Sequence, residues 1–133
     1  MTQPHLLRSQ IRVLLADDSR VMLRAVTRLL TDCPEVKLVG AAADFEEIVK
    51  LASELKPDVI VLDLRMAEKA RSDALRLKAK QAAIRVLAIT AAAVDDKETR
   101  ALARRIEAHK LLDKMRLSEQ LIPAILQLAQ RDR

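Results

Sequence analysis

Val59-Ile60-Val61-Leu62-Asp63 is the stretch that decides the fold. Four apolar residues with no polar break mark a strand covered on both faces, because side chains on either side of the pleat must then be buried. The run closes on a carboxylate. A second run, Ile11-Arg12-Val13-Leu14-Leu15-Ala16, closes on two, Asp17-Asp18. A charge at the end of a buried strand costs free energy unless something uses it. If both strands are parallel and adjacent, all three carboxylates meet at one edge of the sheet. Such a cluster is a cation site, a phosphoryl-transfer site, or both.

Working outward, strand-length apolar runs at 11–16, 36–42, 58–63, 84–90 and 110–113 alternate with helical periods near 19–32, 44–55, 67–80, 94–107 and 118–131. The first helix carries Val21, Met22, Ala25, Val26, Leu29 and Leu30 at three- and four-residue steps, and the last repeats the pattern with Leu121, Ile122, Ile125, Leu126 and Leu128. Asp44, with Glu47 three residues on, reads as a capping box, and Ser118 reads as the start of the last helix. Lys56-Pro57 ends the second helix. Strict strand–helix alternation implies an α/β fold with a parallel sheet, right-handed crossovers and helices on both faces. Ligands of such open sheets bind beyond the carboxyl ends of the strands. Asp17, Asp18, Asp63 and Thr90 all fall there.

The 133 residues suit one domain, with residues 1–10 as a short disordered tail and 11–133 as the folded unit. One aromatic, Phe45, and one glycine, Gly40, leave an aliphatic core built by a helix-favouring sequence. A lone cysteine, Cys33, excludes an internal disulfide and favours a reducing, cytoplasmic compartment; packing suits it better than reactivity. No run approaches the roughly 18 apolar residues of a membrane helix. The net charge of +5 sits in the second half, where residues 64–116 hold 14 Lys or Arg against 7 Asp or Glu. Without a helix-turn-helix or interleaved aromatics, solvated helix faces explain it better than nucleic-acid binding. Glycine-rich phosphate loops are absent, which argues against a nucleotide-binding domain. His5 and His109 show no metal-ligand spacing.

Four pieces in order resemble the receiver domains of bacterial two-component response regulators. They are Val13-Leu14-Leu15-Ala16-Asp17-Asp18, Pro57-Asp58-Val59-Ile60-Val61-Leu62-Asp63-Leu64-Arg65-Met66, Val86-Leu87-Ala88-Ile89-Thr90-Ala91 and Leu111-Leu112-Asp113-Lys114. The second is most similar to receivers joined to DNA-binding output domains. The resemblance implies a chemotaxis-regulator-like, flavodoxin-like doubly wound sheet of five parallel strands in the order 2-1-3-4-5. It implies phosphoacceptance at Asp63 from a sensor histidine kinase, with Thr90 and Lys114 holding phosphoryl oxygens. Mg²⁺ would be bound by Asp18, Asp63 and the backbone carbonyl of Arg65, with Asp17 acting through a water. The chain would be no multiple-turnover enzyme, catalysing only its own phosphorylation and dephosphorylation. Its output, to a further domain or a second copy, would run through the face of the fourth helix, fifth strand and last helix. A single-domain regulator and a piece of a longer chain both fit.

Taken singly, each residue has a plainer explanation. A strand-end Asp such as Asp18 is as often an N-cap, Thr90 a β-branched strand residue and Lys114 a solvated one. Coincidence at four strand ends favours chemistry. The altered loop after Asp63, the single glycine and Leu111 favour a second reading, a receiver-fold binding or engineered scaffold module whose switch is lost, and the chain departs from the family pattern at three places. Ala67-Glu68-Lys69-Ala70 replaces the usual proline and glycines, Leu111 replaces an aromatic, and Met115 replaces a proline after the lysine, so a trans Lys114–Met115 bond is expected.

Overall fold

Alternate residues of each central strand point to opposite sides of the sheet, and both sides are buried, as the unbroken apolar runs require. Ile11, Val13, Leu15, Val59, Val61, Leu87 and Ile89 enter one core cluster. Leu14, Ala16, Ile60, Leu62, Val86 and Ala88 enter the other. The computed structural model describes residues 9–68, 79 and 81–130. Its strands are β1 (Ile11–Ala16), β2 (Val36–Ala42), β3 (Val59–Asp63), β4 (Arg85–Thr90) and β5 (Lys110–Asp113). All pair in parallel, in the order β2-β1-β3-β4-β5. This is the doubly wound, flavodoxin-like arrangement expected from the sequence.

The helices are α1 (Arg20–Thr31), α2 (Phe45–Leu55), α3 (Lys97–Arg105) and α4 (Leu117–Leu128). α1 and α4 cover the first cluster, which also holds Cys33, as packing rather than reactivity predicts. α2 and α3 cover the second, with Phe45 at its margin. Both cores are aliphatic. The helix expected over 67–80 falls mostly outside the described residues, as do His5 and residues 1–8 of the expected tail.

Caps fix where the helices begin. Asp44 Oδ1 accepts the Glu47 N–H at 2.9 Å, while Glu47 Oε1 reaches back to the Ala43 N–H at 2.9 Å. The capping box is present, its return bond one residue earlier than the usual pattern. Asp44→Ala should therefore cost about 1 kcal/mol, read as a fall in the urea midpoint at unchanged m-value. α1 is capped by Ser19, whose Oγ accepts the Met22 N–H at 3.2 Å. Asp18 is thus relieved of the capping role that its position alone suggested. Ser118 does not cap α4: the helix starts at Leu117, directly after a 3₁₀ turn at Lys114–Arg116, and its N-cap, Arg116, makes no side-chain capping bond.

α2 ends at Lys56, which takes a left-handed conformation (φ 49°) just before Pro57. Arg12 secures this corner, its guanidinium donating to the Leu55 carbonyl at 2.7 Å and its amide to Asp58 Oδ2 at 2.8 Å. Gly40 sits where the β1–β2 register slips between Val13 and Leu14. A Cβ there would meet the tip of the Leu55 side chain, Cδ1, at 2.7 Å, so a larger residue would require Leu55 to swing aside.

Candidate functional site

Four strand ends turn in the same way. Asp17 Oδ1 accepts the Ser19 N–H at 2.9 Å, and Asp63 Oδ1 the Arg65 N–H at 3.2 Å. Thr90 Oγ1 accepts the Ala92 N–H at 3.0 Å, and Asp113 Oδ1 the Met115 N–H at 2.8 Å. Short polar side chains stop a strand by satisfying the amide two residues on. In Asp17 and Asp63 one oxygen is thereby committed to the turn and the other is left over. Both leftover atoms, Asp17 Oδ2 and Asp63 Oδ2, are buried and accept no hydrogen bond.

Lys114 answers them with charge. Its ammonium lies 3.0 Å from Asp17 Oδ2 and 3.4 Å from Asp63 Oδ2. The Asp113 turn sends it inward. Asp17, Asp63 and Thr90 are 4, 2 and 6% exposed, while Asp18 stands open to solvent. Carboxylate oxygens of Asp17, Asp18 and Asp63 come within 4.8 Å of one another. Burial holds the Asp63 carboxyl above the usual carboxylate range, and the charge of Asp17 pushes the same way. Lys114, the Arg65 amide and the Arg65 guanidinium oppose the rise without cancelling it. A buried carboxylate of raised pKa beside an ammonium, at the mouth of a cavity, marks a candidate functional group.

A cavity of about 750 Å³ opens beside this cluster, lined among others by Asp63, Arg65, Thr90, Ala92 and Lys114. Thr90 is therefore on the same cavity as the carboxylate and the ammonium. Its hydroxyl accepts from Ala92 and keeps a proton to donate. The cavity is large enough for a phosphoryl group and opens to solvent beside α3.

The donor set suits a hard divalent cation: three carboxylates, two orphaned oxygens, no sulfur or imidazole. The Arg65 carbonyl fits less simply. Leu64–Ala67 form a 3₁₀ turn in which that carbonyl accepts the Glu68 N–H at 3.2 Å, leaving one lone pair for another partner. The turn falls on the Ala67-Glu68 stretch that departs from the expected proline and glycines. Among the described residues no peptide bond is cis, so Lys114–Met115 is trans as expected. Leu111 is half-buried against the second cluster.

Comparison with known families matches residues 13–126 to the response regulator receiver domain. The chain belongs to that family. Curated relatives of this receiver include a protein-glutamate methylesterase/protein-glutamine glutaminase of Geobacter sulfurreducens, 38% identical over 70% of this chain and 25% of its own length. Another is the response regulator GacA of Pseudomonas viridiflava, 39% identical over 69% of this chain and 44% of that protein. The receiver thus spans under half of the curated relatives it matches, and the esterase activity in the first one's name belongs to that protein. Among solved structures, the response regulator domain of Thermotoga maritima CheB superposes with a TM-score of 0.78 at 30% identity, covering 93% of this chain and 99% of that one. The receiver domain of NarL from Mycobacterium tuberculosis gives 0.79 at 26%, covering 94% and 100%. The likeness to the methylesterase group was not legible in the sequence.

Receivers serve two-component signalling, working with histidine kinases and output domains and binding Mg²⁺ at an acidic pocket. No described helix of this receiver is long and apolar enough to cross a membrane. His109, away from the site, plays a structural part that the sequence did not reveal. Its Nδ1 accepts the Val86 N–H at 2.9 Å, and its amide donates to the Val86 carbonyl at 2.7 Å. Partial burial and the nearby Arg85 charge hold its pKa below the ordinary value.

Proposed function

We propose that this receiver takes a phosphoryl group from a sensor histidine kinase onto Asp63. Oδ2 would form the new O–P bond as the P–N bond of the phosphohistidine breaks and its electron pair returns to the imidazole. The supporting observation is the orphaned, buried Asp63 Oδ2, within 3.4 Å of the Lys114 ammonium and opening onto a cavity that Thr90 also lines. In this reading Lys114 pairs with one phosphoryl oxygen and Thr90 donates its hydroxyl proton to another. Asp18 and Asp63 would hold Mg²⁺, with Asp17 acting through a water and the Arg65 carbonyl through its remaining lone pair. Bound there, the cation would offset the charge that the phosphoryl group brings.

Movement of Thr90 toward phosphate would pull on β4 and β5 and re-pack the α3–β5–α4 face, where Lys110 of β5 donates to Gln127 of α4 at 2.7 Å. That face would carry the signal to an output domain or a second copy, in the cytoplasm. The domain boundary at residues 10/11 belongs to the same reading. A module with a lost switch is the second reading, favoured by the Leu64–Ala67 turn that engages the Arg65 carbonyl. Incubation with a small phosphodonor and Mg²⁺, followed by intact mass, separates the two: one added phosphoryl group supports the first reading, and an unchanged mass under all donors sinks it.

A further inference from the structure

The Arg65 side chain has no task in the reading above, yet among the described residues it is the one cation that touches both carboxylates proposed to hold the metal. Its Nη2 lies 3.4 Å from Asp18 Oδ1 and 3.7 Å from Asp63 Oδ2. A planar guanidinium with several donors can serve two carboxylates at once, where an ammonium acts as a single point. Among the described residues two cations contact this carboxylate cluster, and they differ in how firmly they are held. The Lys114 side chain is 11% exposed, wedged between Asp17 and Asp63. That of Arg65 is 66% exposed and can swing out without disturbing the core.

Charge counting sharpens the contrast. Three carboxylates facing Lys114 and Arg65 leave one net negative charge. A divalent cation added beside both would make the pocket positive by one, while a divalent cation taking the place of Arg65 would leave it neutral. Position points the same way, because Arg65 spans the two carboxylates on which direct metal ligation depends.

We propose that Arg65 is a displaceable counterion built into the acidic pocket. It occupies Asp18 and Asp63 until a divalent cation takes them, and so sets metal affinity by competition. The inference rests on the Mg²⁺ reading above. The two can be told apart because every substitution at position 65 keeps the backbone carbonyl and alters only the competing side chain.

The test is a titration of Mg²⁺ alone into the unphosphorylated chain, its Arg65→Gln variant and its Arg65→Lys variant, followed by amide chemical shifts around Asp18 and Asp63. Loss of two partly screened contacts should tighten the Kd of Arg65→Gln by about three- to tenfold. Arg65→Lys, which keeps the charge but not the fork, should fall between. Thermal melts give a second readout: Arg65→Gln should melt lower than the parent without metal, and the gap should close at saturating Mg²⁺. An unchanged or weaker Kd in Arg65→Gln, or a melting gap indifferent to Mg²⁺, overturns the inference while leaving the metal reading in place. Absence of saturable shifts in all three chains overturns the metal reading and the counterion role with it.

Discussion

Asp63→Asn is expected to take up no phosphoryl group from any donor and, at pH 7, to be more stable than the parent. Asparagine keeps the side-chain oxygen that accepts the Arg65 N–H, so the turn after β3 survives. What goes is the charged nucleophilic oxygen. Intact mass after phosphodonor treatment should remain at the starting value, where the parent gains one group. The stability gain follows from burial. Asp63 is 2% exposed, and its carboxyl is held above the ordinary range chiefly because burial disfavours the ion. Above the raised value both folded and unfolded chains are ionised, and the fold carries the full penalty. As pH falls from there through 3.8, the folded chain gains its proton first, so the parent recovers stability that the variant already has. Removing the charge should be worth roughly 1–2 kcal/mol at neutral pH, or about 3–6 °C in Tm for a chain of this size. The difference should shrink on acidification. A destabilised Asp63→Asn would mean that the Lys114 pairing outweighs desolvation.

Lys114→Ala should do the reverse. Its ammonium faces Asp17 Oδ2 and Asp63 Oδ2, neither of which accepts a hydrogen bond. Breaking a buried pair from one side leaves uncompensated charge, which costs about 3–5 kcal/mol. Here two carboxylates lose one shared cation, and Arg65 remains near Asp63, so about 3 kcal/mol is expected at pH 7. Because Lys114 lowers the Asp63 pKa, its removal raises that value further. A proton then replaces the missing ammonium as pH drops, and the deficit against the parent should narrow as the pH falls from 7 to 3.8. Urea unfolding at both pH values measures this. An equal deficit at each would show that the loss is packing of the lysine stem rather than charge.

Much of the fold was legible because both faces of the sheet are covered. Burial on two sides forces β3 and β4 into continuous apolar runs, which no amphipathic helix of that length would show. The split of those runs into two cores follows from the pleat. Asp44 and Lys56-Pro57 marked the edges of α2 because local chemistry alone decides them. Ser118 misled because α4 grows out of a preceding 3₁₀ turn, a tertiary arrangement without a sequence marker. Asp17, Asp18, Asp63, Thr90 and Lys114 could be placed at one rim by strand register. The spacing two residues after Asp63 put Arg65 beside the site, but its bridge between Asp18 and Asp63 could not be read, since the reach of its side chain depends on the Leu64–Ala67 turn. The Val86–His109 pair was hidden for the same reason: it spans two strands across 23 residues.

The repeated two-residue hop at Asp17, Asp63, Thr90 and Asp113 has an evolutionary corollary. At Asp17 and Asp63 the turn asks only for an acceptor and is content with an amide, whereas the proposed phosphoryl transfer needs the acid. A lineage could therefore fall silent through a single Asp-to-Asn change while its backbone stayed intact. Alanine at the same places would loosen the bend as well as disarm the pocket, so comparing the two exchanges separates what keeps the chain in shape from what lets it speak.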